Sequence, residues 1–274
     1  MYSMLWLSQI QMNAYEIAHQ LSEQTTNRQR KQFINKMVNN LASITGRTVE
    51  KQEIAIDERF GNTNFLLHSN DPNPLIISAH YDAFLIGRET TTPGANDNGS
   101  GIGALFEAAT KLFHLPVDFV FFGGEEIGCK GAKEYLKQNT KSIRGIVNLD
   151  TCGSGGNLGL LIPEIVHVNY PGLKKTDDAL NQIFIQSAID IGLPIHRDDV
   201  LATGDHGPFL EAGIPATTLQ GEDLDFFGIV DGEYVSEKMI MHTPEDTIDW
   251  VDEEFLSKVV KVLVNGVERL NLDR

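Results

Sequence analysis

Val117-Asp118-Phe119-Val120-Phe121-Phe122-Gly123-Gly124-Glu125-Glu126 is the stretch that decides how this chain folds. Six residues with one polar member read as a strand buried on both faces, the pattern of a parallel sheet covered by helices. The glycine pair ends the run, and two adjacent carboxylates follow it. The same plan appears upstream, where Leu75-Ile76-Ile77-Ser78-Ala79 leads into His80-Tyr81-Asp82. It appears again downstream, where Ile143 to Leu149 leads into Asp150. Helical patterns fill the intervals: Gly99 to Phe113, with Ala104, Leu105, Ala108 and Leu112 on one face, and the section from Ala132 to Leu136. Strands that alternate with helices predict an α/β fold with a mostly parallel sheet covered on both faces.

Outward from this centre the pattern continues. Residues from about 9 to 45 carry helical spacing, with Ala14, Ile17, Ala18 and Leu21 followed by Phe33, Met37 and Leu41. Gly46 closes that section. Ile54 to Ile56 and Phe65 to His68 read as strands around a Gly61-Asn62 turn. A glycine-rich, irregular stretch is expected from Gly153 to Gly172, a helix from Thr176 to Ile191, a strand from Ile214 to Leu219 and a closing helix from Glu253 to Leu270. There is no repeat, linker or charge block, so residues 1–274 are expected to form one domain, N-terminal helices at about 9–45 and a core at about 50–274.

Composition sets limits on function. Of 274 residues, 41% are hydrophobic, enough for a substantial core. The formal net charge of −16 disfavours nucleic acid and anionic membrane surfaces as partners and suits a cationic group such as a free amine. Two cysteines, Cys129 and Cys152, make no disulfide framework and read as reduced, partly buried thiols. No apolar run reaches the roughly 18 residues of a membrane span. Met1 to Met12 lacks a basic n-region and a small-residue cleavage site, which points to a cytoplasmic location. A trimmed chain would read the same way, so secretion stays open.

In a parallel sheet, functional groups collect beyond the carboxyl ends of the strands. His80, Asp82, Glu125, Glu126 and Asp150 all follow strands and should converge. His80 offers an imidazole nitrogen to a metal, and Asp82 can hydrogen-bond the other ring nitrogen. Asp97 lies in Gly94-Ala95-Asn96-Asp97-Asn98-Gly99-Ser100-Gly101. That loop reads either as a helix-capping turn or as small residues that let two ions approach one carboxylate. Glu125 and Glu126 repel each other unless cations compensate. One can ligate a metal while the other acts as a general base. His242 opens His242-Thr243-Pro244-Glu245-Asp246-Thr247, a loop feeding a helix, and supplies a further nitrogen donor.

As an ordered set, these segments resemble the co-catalytic dizinc aminopeptidase family, which includes aminoacyl aminopeptidases, glutamate carboxypeptidases and glutaminyl cyclases. The set is His-x-Asp, Gly-Ala-x-Asp-x-x-Ser-Gly, Glu-Glu-x-Gly, Asn-x-Asp, Asp-His-x-x-Phe and His-Thr-x-x-Asp-Thr, over roughly residues 60–270. The resemblance implies a three-layer α/β sandwich with a mixed, mostly parallel central sheet. It implies two zinc ions per chain, one on His80, Asp97 and Asp150, the other on Asp97, Glu126 and His242. Glu125 is then the general base and Asp82 the orienter of His80. His206, in Asp205-His206-Gly207-Pro208-Phe209, would by the resemblance polarise the scissile carbonyl or stabilise the oxyanion, while by sequence alone it reads equally as a satisfied structural histidine. The bond after the bridging aspartate is commonly cis in this family, so a cis Asp97–Asn98 peptide is expected.

The expected activity is hydrolysis of the N-terminal peptide bond of a peptide or aminoacyl substrate with a free amine. Two other readings stand beside it: a glutaminyl-cyclase-like aminoacyl transferase with one zinc, and an inactive binding scaffold. Cyclases usually carry a tryptophan before the last ligand histidine, where this chain has Met241. Phe226, Phe227 and Tyr234, in the loop before His242, can wall an apolar pocket or simply pack the core.

Overall fold

The structure is a computed structural model. It describes residues 12–272 apart from 157, 168–171, 198–203, 224–225, 227–228, 231–232 and 235–238. Two helices come first. Helix α1 (Ala14–Ser22) starts on a capping box, Asn13 accepting from the Glu16 backbone while the Glu16 side chain accepts from the Asn13 N–H. Helix α2 (Asn27–Thr45) is capped by Thr26 and ends at Gly46, whose φ is +69°.

The remaining elements build the sheet and its covers. They are β1 (Thr48–Glu53), β2 (Thr63–His68), β3 (Leu75–His80), α3 (Gly101–Leu112), β4 (Val117–Phe122), α4 (Lys130–Gln138), β5 (Gly145–Leu149), β6 (Gly159–Leu161), β7 (Ile165–His167) and β8 (Leu173–Lys175). Then follow α5 (Asp178–Asp190), β9 (Ile195–His196), α6 (Gly207–Glu211), β10 (Ala216–Glu222), β11 (Ile229–Val230), β12 (Glu233–Tyr234) and α7 (Glu253–Leu272).

Eight strands form the main sheet in the order β1-β2-β4-β3-β5-β10-β6-β9. Its central strands β4, β3, β5 and β10 are mutually parallel, as their continuous apolar runs predict. The β1, β2 edge and the β10–β6 contact are antiparallel. Successive side chains serve opposite faces. Phe119 and Phe121 join Leu75, Ile77 and Ala79 in a large core under α1, α2, α3, α5 and α7. Val120 and Phe122 join Ile76, Ile146 and Phe209 in a smaller one under α4 and α6. The sheet is therefore filled on both faces.

Two expectations change. The first strand is Thr48–Glu53, and Ile54 to Ile56 lie in the connection after it. Inside the stretch from Gly153 to Gly172, Gly159–Leu161 forms β6 and extends the sheet. The parallel register places the carboxyl ends of β3, β4 and β5 side by side: His80 pairs with Phe122, and Ser78 with Asn148. The groups that follow these strands share one edge.

Candidate metal centre

His80 ends β3 and is buried, 1% exposed. Its Nδ1 hydrogen-bonds the carbonyl of Asp82 at 3.1 Å. The Asp82 carboxylate, expected at that nitrogen, stands 3.7 Å away. It instead accepts the backbone N–H groups of Glu125 and Glu126, both at 3.2 Å. Asp82 thus ties the loop after β3 to the loop after β4.

The free side of the His80 ring faces two carboxylates. Nε2 lies 3.4 Å from Asp97 Oδ1 and 3.5 Å from Asp150 Oδ1. The second Asp97 oxygen faces the other way: Oδ2 is 3.2 Å from His242 Nε2, which is 3.0 Å from Glu126 Oε2. The five side chains divide into two groups that share Asp97. The ligand-type atoms of His80, Asp97 and Glu126 all lie within 4.8 Å of one another. Donor atoms at the corners of a zinc tetrahedron with arms of about 2.0–2.1 Å stand about 3.3–3.4 Å apart. The spacings here match, and the donor set of imidazole and carboxylate suits zinc.

Local backbone explains how Asp97 reaches both groups. A tight turn over Ala95–Ser100 leads into α3 and breaks helical geometry at Asp97 and Asn98, whose joining peptide is cis, as expected. The Asp246 carboxylate accepts the N–H of Asn96 at 2.8 Å and of Asp97 at 3.0 Å. Gly94 takes φ +56°, and a Cβ there would meet the Asp97 carbonyl at 2.6 Å. Among the described residues, the three non-glycine positions with positive φ are Cys129, whose thiol meets Glu125, Thr151, which follows Asp150, and His242 within the site itself. Backbone strain of this kind gathers at functional sites.

Charges in the site are unbalanced. Burial, then the Asp97 charge, pushes the Glu126 carboxyl up to about 7. Burial likewise holds Glu125 well above the carboxylate range, with Asp205, Asp150 and Glu126 adding to it. Burial favours a neutral Asp97, but hydrogen bonds from His242 and His80 outweigh it and keep that group ionised. Burial works against a charged His242, yet Asp97 and Glu126 raise it to about 11. The Glu126 Oε1 atom has no hydrogen-bond partner among the described residues. Buried carboxylates crowded in this way are the kind of charge that a bound cation offsets.

The other predicted residues fall as follows. Glu125 joins the cluster, and Cys129 Sγ donates to its Oε1 at 3.4 Å. Both cysteines are free and buried. His206 is buried, 2% exposed, and burial lowers it to about 4, so it is a neutral imidazole. Gly204 separates it from Asp150: a Cβ on Gly204 would lie 2.8 Å from Asp150 Oδ2 and 3.6 Å from His206 Nδ1. Phe226 is fully buried and packs on Trp250, with ring centroids 6.1 Å apart. Phe227 and the Tyr234 side chain lie outside the described residues.

Sequence reasoning missed Phe84, whose ring stacks on His242 at 4.6 Å and 11°. It also missed the bonding role of Asp246, although that residue stands in the quoted segment after His242. Arg30 was missed too, although it falls one turn before Ile34 on the apolar stripe of α2.

Residues 62–267 match the family model described as Peptidase family M28. The chain belongs to that family. Among curated relatives, Aminopeptidase YwaD of Bacillus subtilis is 30% identical over 208 residues, 72% of this chain and 41% of its own length. Probable leucine aminopeptidase 1 of Trichophyton verrucosum is 24% identical over 220 residues, 73% and 55% of the two chains. The chain thus spans about half the length of the curated relatives it matches. Two solved structures share the fold at 18% identity. LapA of Legionella, with TM-score 0.72, aligns over 94% of this chain and 72% of its own. A Porphyromonas gingivalis glutaminyl cyclase, with TM-score 0.71, aligns over 94% and 97%. The M28 match begins after α2, so both N-terminal helices precede it. No described helix is long and apolar enough to cross a membrane.

Proposed function

We propose that this M28 chain is a zinc-dependent aminopeptidase that hydrolyses the N-terminal peptide bond of peptide or aminoacyl substrates. The observation that carries this reading is the two-sided presentation of Asp97, one oxygen toward His80 and Asp150 and the other toward His242 and Glu126. Two zinc ions held by these residues would supply Lewis acidity and a water acidified toward a pKa of about 7. The names of the curated relatives, an aminopeptidase and a probable leucine aminopeptidase, agree with it.

The chain's own groups do the rest. Glu125 stands among His80, Asp150, Asp205 and Glu126, where burial raises its proton affinity. It is the group that takes a proton from the attacking water and returns it to the leaving amine. Its neighbour Glu126 is a ligand, because its carboxylate lies against His242. Asp82 fixes both glutamate backbones and, through its carbonyl, the His80 ring. His206, neutral and buried beside Asp150, donates a hydrogen bond to the carbonyl oxygen as charge develops there. The acidic surroundings attract the substrate's α-ammonium.

The test pairs zinc analysis with a screen of aminoacyl amides and their N-acetylated counterparts. Two zinc ions per chain and hydrolysis restricted to free amines are expected. One zinc, with ammonia release from N-terminal glutaminyl peptides, would replace this reading with cyclisation. No zinc uptake would leave an inactive scaffold.

A further inference from the structure

Helix α2 carries an arginine where an apolar residue would fit the stripe. Arg30 is completely buried, and among the described residues no carboxylate is a hydrogen-bond partner of it. Its Nε donates to the Tyr81 carbonyl at 2.7 Å, Nη1 to the Pro93 carbonyl at 2.8 Å and to the Leu21 carbonyl at 3.3 Å, and Nη2 to the Gly94 carbonyl at 3.2 Å. Tyr81 lies between His80 and Asp82, and Pro93-Gly94 opens the turn that presents Asp97. One planar guanidinium therefore joins α1 to both ligand-bearing loops. One turn earlier, Asn27 holds Ala83 from both sides. Its Oδ1 accepts the Ala83 N–H at 2.9 Å, and its Nδ2 donates to the Ala83 carbonyl at 3.0 Å.

We propose that Asn27 and Arg30 form a clamp that sets the separation of the His80 and Asp97 loops, and so act as positioning residues for metal binding. This rests on the zinc reading above. Charge alone does not account for the arginine. Burial lowers it to about 10, which leaves it cationic at neutral pH, and it lies close enough to Asp246, Asp82, Asp97 and Glu126 to interact with their charges. A fixed positive charge there opposes the arrival of zinc. What an arginine adds is a flat fork that reaches three carbonyl-bearing segments at once, which a lysine ammonium cannot do. Residues that orient metal ligands through such outer contacts typically change metal affinity about 10–100-fold when lost.

The experiment uses the full chain, stripped with a chelator and titrated with zinc against a chromophoric competitor. Apo-state circular dichroism checks the fold of each variant. Arg30→Lys keeps the charge and loses the fork, Arg30→Met loses both, and Asn27→Ala frees Ala83 together with the Arg59 carbonyl, to which Asn27 Nδ2 also donates at 3.0 Å. The clamp predicts about 10–100-fold weaker zinc binding in both arginine variants and a smaller loss, in the same direction, in Asn27→Ala. Arg30→Met binding zinc more tightly than wild type would show an electrostatic role and overturn the clamp. Arg30→Lys binding zinc like wild type would overturn it as well. Should the arginine variants not fold, Asn27→Ala decides: unchanged affinity refutes the clamp. Wild-type chain that takes up no zinc would remove both this inference and the zinc reading. Wild type binding two ions, matched by every variant, would remove the clamp alone.

Discussion

Strand β4 has a buried acidic cluster at each end, and the two are built in opposite ways. At its start Asp118, 1% exposed, accepts from the Ser69 N–H at 2.6 Å and the Ser69 hydroxyl at 2.7 Å. His68 Nδ1 lies 2.8 Å from its other oxygen, and His68 Nε2 lies 3.0 Å from Glu50. Beyond its finish, Glu126 has an oxygen with no partner among the described residues, and carboxylates face one another across two histidines. Donors surround the first cluster and are scarce in the second. A buried acid with enough donors belongs to the framework, and one without them is set up for a cation or a proton transfer.

Removing zinc should break this contrast most sharply. Hydrolysis falls to background, and the Asp97 end loses stability while the Asp118 end is untouched. At zinc about 1,000 times its Kd, each ion contributes about 4 kcal/mol. Calorimetry of the stripped and reloaded chain reads this as a large, reversible drop in Tm; a chain whose Tm ignores the chelator would contradict it.

Next in size is Glu125→Gln. Loss of the base should cut kcat by about 10²–10⁴-fold with zinc content unchanged. Because the amide relieves a crowded set of carboxylates, the stripped variant should melt no lower than stripped wild type. Loss of zinc from this variant, with Glu126→Ala keeping both ions, would exchange the roles of the two glutamates.

The same isosteric change at the other end, Asp118→Asn, should act with the opposite sign. It leaves zinc binding alone and costs about 1–3 kcal/mol, since the amide cannot serve the Ser69 donors and His68 as the carboxylate does. An Asp118→Asn chain as stable as wild type would erase the distinction.

The smallest effect is in pH. The hydrogen bond to Asp118 raises His68 above its ordinary 6.5 despite burial, so its stabilising share is complete below that value and is lost as pH climbs through the raised one. Burial alone would raise Asp118, but His68 and Ser69 hold it below its ordinary 3.8, so its share is present above 3.8 and is lost as pH falls further. Stability from this pair should peak between about pH 4 and 6.5 and decline by about 1 kcal/mol or less on the alkaline side. Tm curves of wild type and His68→Asn should converge as pH rises; parallel curves would exclude the pair as the source.

The strand-end plan made the site legible. Val117 to Phe122 is apolar because both faces are covered, and the glycines after it mark where the chain leaves the sheet. Thr48–Glu53 was not legible, since it is an edge strand with polar, mostly exposed side chains. The apolar Ile54 and Ile56 beside it drew the strand reading into the connection. Ligand types announce themselves by chemistry, whereas Arg30 and Asn27 act on backbone carbonyls and an amide that any residue would provide. Phe84 is likewise indistinguishable in sequence from an ordinary loop phenylalanine. Asp82 shows a finer limit: its place near His80 was readable, but which of its oxygens meets the ring is settled only by the loop's path.

The bond from Asp246 to the Asn96 amide joins residues 150 positions apart. A contact between residues this far apart in sequence forms only when distant parts of the chain have come together. During synthesis the ribosome releases His80, Asp97, Glu126 and Asp150 long before His242 and Asp246. A growing chain therefore holds most of the acidic groups of the site while the turn bearing Asp97 still lacks its last anchor. The turn that bears Asp97 therefore takes its last anchor only once the chain has been made past Asp246.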